Sequence, residues 1–176
     1  AKHGIENKIV LLGVAFDWTP KKGLNDFKRL AEDLPEEYAI VLVGVSEAVA
    51  KTLPEKIISI ACTQNQEELA EIYSAADIFV NPTHEEVLGL VNLEALACGT
   101  PVITYRSGGS PETIDPSCGI AVPRRDYKQL LHTVIEFDPK KIKKEMCCQR
   151  AHLFDKEIKY KEYVELYRKC SKKING

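Results

Sequence analysis

Short unbroken apolar runs alternate along the chain with longer segments in which apolar residues recur at helical spacing. The short runs predict buried strands at 8–14, 39–44, 57–61, 77–80, 102–105 and 119–123. The other segments predict helices at 24–34, 46–53, 66–75, 91–98, 127–137 and 154–169. This alternation favours an α/β fold, a doubly wound (Rossmann-like) parallel sheet of about six strands in the order 3-2-1-4-5-6.

A sheet of this kind binds its ligand outside the carboxyl ends of the strands, which all finish on one edge. Lys22, Thr63, Glu86 and Gly108 each follow a predicted strand. We therefore expect these residues to lie on the same edge of the sheet and to mark a binding site.

The stretch 81–111 concentrates polar and glycine residues at that edge. One strand ends at Asn81, a helix at 91–98 follows, and 107–111 leads from the next strand into a further predicted helix start. Two helix N-termini in succession present backbone N–H groups that suit a phosphate-bearing ligand.

Glu86 and Glu94 stand out within this stretch, because a carboxylate can accept hydrogen bonds from two neighbouring hydroxyls of a ribose or a hexose. Their spacing puts Glu86 in the loop before the helix and Glu94 about one turn inside it. Gly89 would let the main chain approach a phosphate, and the N–H groups of Leu88, Gly89 and Leu90 would be unpaired donors. The alternative is that both glutamates are solvated charges near a helix end.

The segment EEVLGLVNLEALACGTPVI, followed by Gly-Gly and Pro-Glu, resembles the donor-binding signature of the family 4 nucleotide-sugar glycosyltransferases. These enzymes have the two-domain GT-B fold. The resemblance runs from Lys8 to Val122 and corresponds to their C-terminal half. It implies a domain that binds a UDP-sugar or GDP-sugar donor for hexosyl transfer to an acceptor hydroxyl. It further implies retention of configuration, no cofactor or catalytic metal, and a use such as polysaccharide biosynthesis.

The resemblance also implies roles for individual residues. Glu86 would touch the donor sugar, the backbone amides from Val87 to Leu90 would hold the sugar and diphosphate, and Glu94 would grip the ribose. Further nucleotide-sugar-binding candidates lie in neighbouring loops, and they are Thr63, Gln64, Gly108 and Gly109.

Lys22 is the other catalytic candidate beside Glu86. A cation is unfavourable at a helix N-terminus, and a bound diphosphate would reverse that penalty. In the family, an arginine and a lysine of this loop neutralise the pyrophosphate; Lys22 matches the lysine, but Asp17 stands where the arginine is usual. Either Lys21 substitutes, or the second charge comes from elsewhere, for example from Arg106, or activity is low.

Composition limits the number of domains, the classes of partner and the location that can be expected for this chain. The chain has 176 residues, which suits one domain over 1–176 that buries about 70% of its unfolded surface, with 1–7 as either a linker or the edge of the expressed segment. Its 24 Lys plus Arg and 26 Asp plus Glu give a formal net charge of −2, which argues against a nucleic-acid partner. No apolar run approaches the roughly 20 residues that cross a bilayer, and no signal-peptide pattern is present, so we expect a cytoplasmic location.

Cysteine and histidine spacing predicts neither a disulfide nor a metal site. Cys62, Cys98 and Cys118 are expected to behave as small hydrophobes at element ends. His84, beside the glutamates, is expected to be a surface-loop histidine, with donor contact as the alternative. The basic run 140–144 is expected to be a solvated helix face.

The closing amphipathic helix, 154–170, carries an apolar and aromatic stripe of Ile158, Tyr163, Leu166 and Tyr167. Two interpretations stay open: the stripe packs within this domain, or, as the resemblance implies, it crosses to a missing N-terminal acceptor-binding domain. We expect the isolated domain to bind donor but hardly to turn over, and any peripheral membrane association to belong to the full-length enzyme only.

Other functions compete with the glycosyltransferase interpretation. A non-catalytic nucleotide-sugar-binding or regulatory module is favoured by Asp17. A GT-B epimerase half would need catalytic groups from its other half, and a phosphorylase would need a cofactor lysine that has no clear position here. A receiver-type signalling domain needs an aspartate after its third strand, where this chain has Ala61-Cys62-Thr63.

Overall fold

The computed structural model describes residues 4–174, and the side chains of residues 4–171. It contains a parallel sheet with the strand order β3-β2-β1-β4-β5-β6, as the sequence predicts. The strands are β1 Ile9–Val14, β2 Tyr38–Val43, β3 Ile57–Ile60, β4 Ile78–Asn81, β5 Val102–Tyr105 and β6 Gly119–Val122. Each predicted strand is therefore confirmed to within one or two residues at its ends.

Helices connect the strands and cover both faces of the sheet. They are α1 Leu24–Asp33, α2 Glu47–Ala50, α3 Gln66–Ala75, α4 Leu90–Ala97, α5 Tyr127–Glu136, α6 Lys144–His152 and α7 Lys156–Ile174. Short 3₁₀ helices occur at Pro20–Lys22, Ser110–Thr113 and Pro139–Lys141. Ser46, Asn65 and Asp126 each accept a backbone hydrogen bond as the N-cap of α2, α3 and α5.

The core lies in two layers, because successive side chains of a strand point to opposite faces of the sheet. Leu11 belongs to the layer beneath α1 and α5, together with Phe27 and Leu130. Leu12 belongs to the opposite layer beneath α3, α4 and α6, together with Leu96. Strands buried on both faces explain why their sequences are apolar throughout.

Three sequence-based expectations about local structure are wrong. The helix expected after 107–111 is a single 3₁₀ turn, since Ile114 is already extended and buried. The run 140–144 is solvent-exposed but does not form one helix face, because it is divided between a 3₁₀ turn and the start of α6. Cys62 is exposed rather than buried among apolar residues.

The stripe on α7 does not pack within the described domain. Tyr163, Leu166 and Tyr167 are 60%, 55% and 70% exposed, and only Ile158 at the start of the helix is partly buried. This excludes the interpretation in which the whole stripe belongs to the domain core.

Candidate functional site

A cleft of 630 Å³ opens at the carboxyl ends of β1 and β4, where the strand order reverses. Open parallel sheets bind their ligands at this type of crevice. One wall is 14–18 together with Lys22, and the other is 80–82 followed by 86–91. The cleft therefore joins the lysine and the first glutamate that the sequence singled out.

Lys22 and Glu86 face each other across this cleft. The Lys22 Nζ donates a hydrogen bond of 3.2 Å to Glu86 Oε2. The Glu86 side chain is 17% exposed, whereas the Lys22 side chain is 43% exposed. The ammonium group thus keeps access to solvent and to an anionic ligand while the carboxylate is held in the wall.

The second positive charge does not come from Lys21 or Arg106 in this structure. Lys21 Nζ binds Glu85 Oε2 at 2.8 Å on the exposed side of the loop. Arg106 borders a different depression, next to β6. Asp17 lines the cleft and is exposed, so the wall near Lys22 carries an additional negative charge.

The loop between Glu86 and α4 forms part of the cleft wall. Gly89 has φ of 84° and is the N-cap of α4, so the N–H groups of the first two helical residues, Leu90 and Val91, have no partner within the helix, whereas the Asn92 N–H donates to the Gly89 carbonyl at 2.9 Å. Leu88, Gly89 and Leu90 all line the cleft. The Val87 N–H differs, because it donates to Glu86 Oε1 at 3.0 Å.

Gly108 and Gly109 lie behind this loop and do not line the cleft. A Cβ on Gly108 would be 1.7 Å from the Glu86 carbonyl oxygen, and one on Gly109 would be 2.5 Å from the Val87 carbonyl oxygen. The Gly109 N–H also donates to the Val87 carbonyl at 2.8 Å. Because these two glycines lack side chains, their backbone can pack directly against the loop that carries Glu86.

Glu94 lies outside the cleft, in an adjacent depression of 480 Å³ between α4, α6 and the start of α7. Leu90 borders both cavities and separates the two glutamates. The Tyr73 hydroxyl donates to Glu94 Oε2 at 2.9 Å. Burial, and then the negative charge of Glu94, raise the pKa of Tyr73, which keeps the phenol a proton donor.

Thr63 and Gln64 border neither cavity. They follow β3, the edge strand of the sheet, and the Gln64 N–H donates to Glu68 Oε2 at 2.6 Å. The sequence placed them correctly after a strand, but two strands separate them from β4.

A buried hydrogen-bond chain that sequence reasoning missed fixes the start of α4. Asn81 Nδ2 donates to Asn92 Oδ1 at 2.8 Å, and Asn92 Nδ2 donates to Thr113 Oγ1 at 3.0 Å. Thr104 Oγ1 donates to the Asn81 carbonyl at 3.0 Å. The available signal was the one asparagine in the apolar segment LVNL, since a buried amide needs partners.

His84 is not the surface-loop histidine that was expected. Its side chain is 20% exposed, and Nε2 lies 3.1 Å from Asp26 Oδ2. The ring packs against Tyr105 with centroids 5.5 Å apart. His84 does not line the cleft, so the alternative of direct donor contact finds no support in its position.

Within residues 4–174, no helix is long and apolar enough to cross a membrane. The same part of the chain contains no cluster of three or more histidine, cysteine or acidic residues arranged to hold a metal ion.

Solved structures share this fold. Sucrose-phosphate synthase from Thermosynechococcus elongatus superposes with a TM-score of 0.77 and 28% identity, covering 94% of this chain and 46% of that one. The Anabaena protein HepE in complex with UDP also gives a TM-score of 0.77, at 17% identity, covering 94% of this chain and 50% of that one. The Rossmann-like half of a GT-B fold that the sequence predicted is therefore confirmed.

Sequence relatives and a family model agree with the fold. A D-inositol 3-phosphate glycosyltransferase of Corynebacterium jeikeium is 55% identical over 93 residues, which are 53% of this chain and 19% of the relative. A GDP-mannose-dependent phosphatidylinositol monomannoside mannosyltransferase of Corynebacterium glutamicum is 38% identical over 96 residues, 49% of this chain and 25% of the relative. Across eight curated relatives, the matched segment of this chain spans between 14% and 29% of the relative's length. The family model "Glycosyl transferases group 1" matches residues 1–170, and the chain accordingly belongs to this glycosyltransferase family.

Proposed function

We propose that this chain is the donor-binding domain of an enzyme that transfers a hexosyl group from a nucleotide diphosphate sugar to an acceptor hydroxyl, with retention and without a catalytic metal. The observation that carries the proposal is the contact of Lys22 with Glu86 in the cleft at the N-terminus of α4. A cation, free N–H groups and a carboxylate together match the diphosphate and the hydroxyls of such a donor.

Lys22 and the start of α4 act on the leaving group. Cleavage of the glycosidic bond places negative charge on the departing diphosphate, and donors fixed in advance stabilise that charge as it develops. The Lys22 ammonium and the N–H groups of Leu88, Gly89 and Leu90 supply these donors. Since Lys22 is partly exposed while it contacts Glu86, the diphosphate can bind it without removing the carboxylate.

Glu86 orients the sugar, and Glu94 holds the ribose. A carboxylate accepts two hydroxyl hydrogen bonds, so each glutamate suits a vicinal diol. The two cavities share Leu90, whose side chain is 65% exposed, and the donor would cross this side chain between the two glutamates. The Tyr73 hydroxyl orients the Glu94 carboxylate for that contact.

The base remains either uracil or guanine. The Anabaena HepE structures contain UDP or UDP-glucose, whereas the Corynebacterium glutamicum relative is described as GDP-mannose-dependent. We place the reaction in the cytoplasm, where nucleotide sugars serve as donors.

The acceptor site is assigned to a second, N-terminal domain, which fits relatives more than twice as long as this chain. The exposed stripe on α7 would pack against that domain. The chain alone would then bind donor with little turnover.

A non-catalytic nucleotide-sugar-binding module is the second candidate function. Asp17 favours it, because a carboxylate on the cleft wall repels the diphosphate that an arginine would bind. Such a module would bind the nucleotide and leave the donor intact, even as the full-length protein.

Titration calorimetry with UDP, GDP and ADP, free and as hexose conjugates, tests the proposed function. We expect one nucleotide to bind selectively and the Glu94→Ala variant to lose at least about tenfold in affinity, because a charged hydrogen bond contributes about 1.5–3 kcal/mol. Glu71→Ala, at an exposed position on α3, is the matched control and should bind as the wild type does. Absence of binding at millimolar ligand, both here and in the full-length protein, would disprove the proposal. Donor binding without transfer by the full-length protein would establish the second candidate.

A further inference from the structure

Three side chains from distant parts of the chain meet behind the cleft. Asp26 lies in the first turn of α1 and is 7% exposed, Tyr105 ends β5 and is fully buried, and His84 lies in the loop after β4. Nε2 of His84 is 3.1 Å from Asp26 Oδ2. His84 Nδ1, Asp26 Oδ2 and the Tyr105 hydroxyl are buried and make no hydrogen bond of normal geometry among the described residues, so the close approach of Nε2 to Asp26 Oδ2 is the polar contact that links the ring to α1.

This cluster is energetically demanding. A buried carboxylate is costly unless an opposite charge or a hydrogen bond compensates it. Burial raises the pKa of Asp26, and His84 opposes this rise. The carboxylate also contributes, after burial, to a raised pKa of the Tyr105 hydroxyl. Removing either member of the Asp26–His84 pair would therefore leave a buried polar group without its partner.

The pair connects the two segments that carry Lys22 and Glu86. Asp26 follows Lys22 by one helical turn, and His84 precedes Glu86 by two residues. The His84 N–H donates to the Lys21 carbonyl at 2.8 Å, which adds a backbone link beside the side-chain contact. At Gly23 the segments approach so closely that a Cβ would be 2.5 Å from Pro82.

We infer that Asp26 and His84 are positioning residues, which hold the segment 82–86 against the start of α1 so that Glu86 faces the sugar at a fixed distance from Lys22. This inference rests on the proposed function and goes beyond it, because neither residue lines the cleft. It assigns them a role in the sugar-dependent part of donor binding and none in binding the nucleotide.

The test compares the affinity for the nucleoside diphosphate with the affinity for its hexose conjugate, using the nucleotide selected in the titrations above. His84→Phe keeps the ring that packs on Tyr105 but removes Nε2, and Asp26→Asn removes the charge at nearly constant size. We expect each to reduce the sugar-dependent gain in affinity by about tenfold, and to leave the affinity for the nucleoside diphosphate within about twofold. His84→Gln, whose amide can still donate to Asp26, should recover most of the gain. His132→Phe, at an exposed position on α5, is the matched control.

The outcomes separate positioning from stability alone. A sugar-dependent gain that stays at the wild-type level in folded His84→Phe and Asp26→Asn would overturn the inference, even if the melting temperature fell. An equal loss for both ligands would also overturn it. If the wild type binds the nucleotide but gains nothing from the hexose, the inference fails while nucleotide binding stands. If the wild type binds neither ligand, the proposed function itself has failed.

Discussion

Gly108 shows how one backbone position determines the position of the Glu86 carboxylate in the candidate site. Its φ is 51°, in the left-handed region, and the Glu86 carbonyl occupies the space that a Cβ would need. The loop that carries Glu86 can pack here only because this residue has no side chain.

We expect Gly108→Ala to displace Glu86, to lower donor affinity by about tenfold, and to destabilise the fold by about 1–3 kcal/mol through strain and overlap. Titration calorimetry and thermal melting would measure these effects. Gly4→Ala is an informative control, because Gly4 also has a positive φ but nothing lies within 4 Å of its Cβ position. Wild-type donor affinity in Gly108→Ala would show that the loop does not depend on this contact.

For single residues, the sequence predicted which side chains have suitable chemistry for the candidate site, but it did not predict which residues surround them. Glu86 and Lys22 were identified from spacing and the family signature, and they do lie in one cleft. His84 was assigned to the surface, because its partners Asp26 and Tyr105 are far away in sequence. Burial of a polar side chain depends on such distant partners, so a single local window does not reveal it.

Among the elements, α6 is the one that the hydrophobic pattern missed. Cys147 is the one buried residue of this helix, Lys144–His152, so the segment lacks the apolar stripe that identified α1 and α5. The helix is nonetheless packed on α4, in the layer that contains Leu96 and Cys118. A short, mostly polar helix is held by its neighbours and contributes little periodic signal.

Thiol reactivity provides a test of this packing. Burial raises the pKa of Cys147 to about 12, and it also raises the pKa of Cys118, so both thiols should stay protonated and unreactive at neutral pH. We expect iodoacetamide to modify the exposed Cys62, Cys148 and Cys170 of the folded protein, and to modify Cys118 and Cys147 only in denaturant. Peptide mass spectrometry would locate the labels. Labelling of Cys147 as fast as its neighbour Cys148 would mean that α6 is not docked on α4.

At the scale of the whole molecule, packing within the described domain does not account for the apolar face of α7. This helix carries an exposed apolar and aromatic face that no other described residue covers, formed by Tyr160, Tyr163, Val164 and Tyr167. Exposed apolar faces of this kind mark interaction surfaces, and the proposed acceptor-binding domain is the partner that would cover this one.

We expect Tyr163→Ser with Tyr167→Ser to leave the melting temperature and donor affinity of this chain unchanged, because these side chains are 60% and 70% exposed. In the proposed full-length enzyme, where the helix would pack on the acceptor-binding domain, the same changes should lower hexosyl transfer at least about tenfold. Lys161→Ser, at an exposed position two residues from Tyr163, is the control. Unchanged transfer by the double variant would remove α7 from the domain interface.

The sequence by itself determined the α/β class, the strand order and the edge of the sheet at which the candidate site lies. Apolar runs, helical spacing and turn residues are local signals, and the handedness of parallel crossovers leaves few ways to connect them. The tertiary structure decided that Glu86 and Glu94 face separate cavities, that Gly108 and Gly109 support a loop, and that Asp26 pairs with His84. These relations depend on how distant segments pack against one another, which spacing along the chain does not encode.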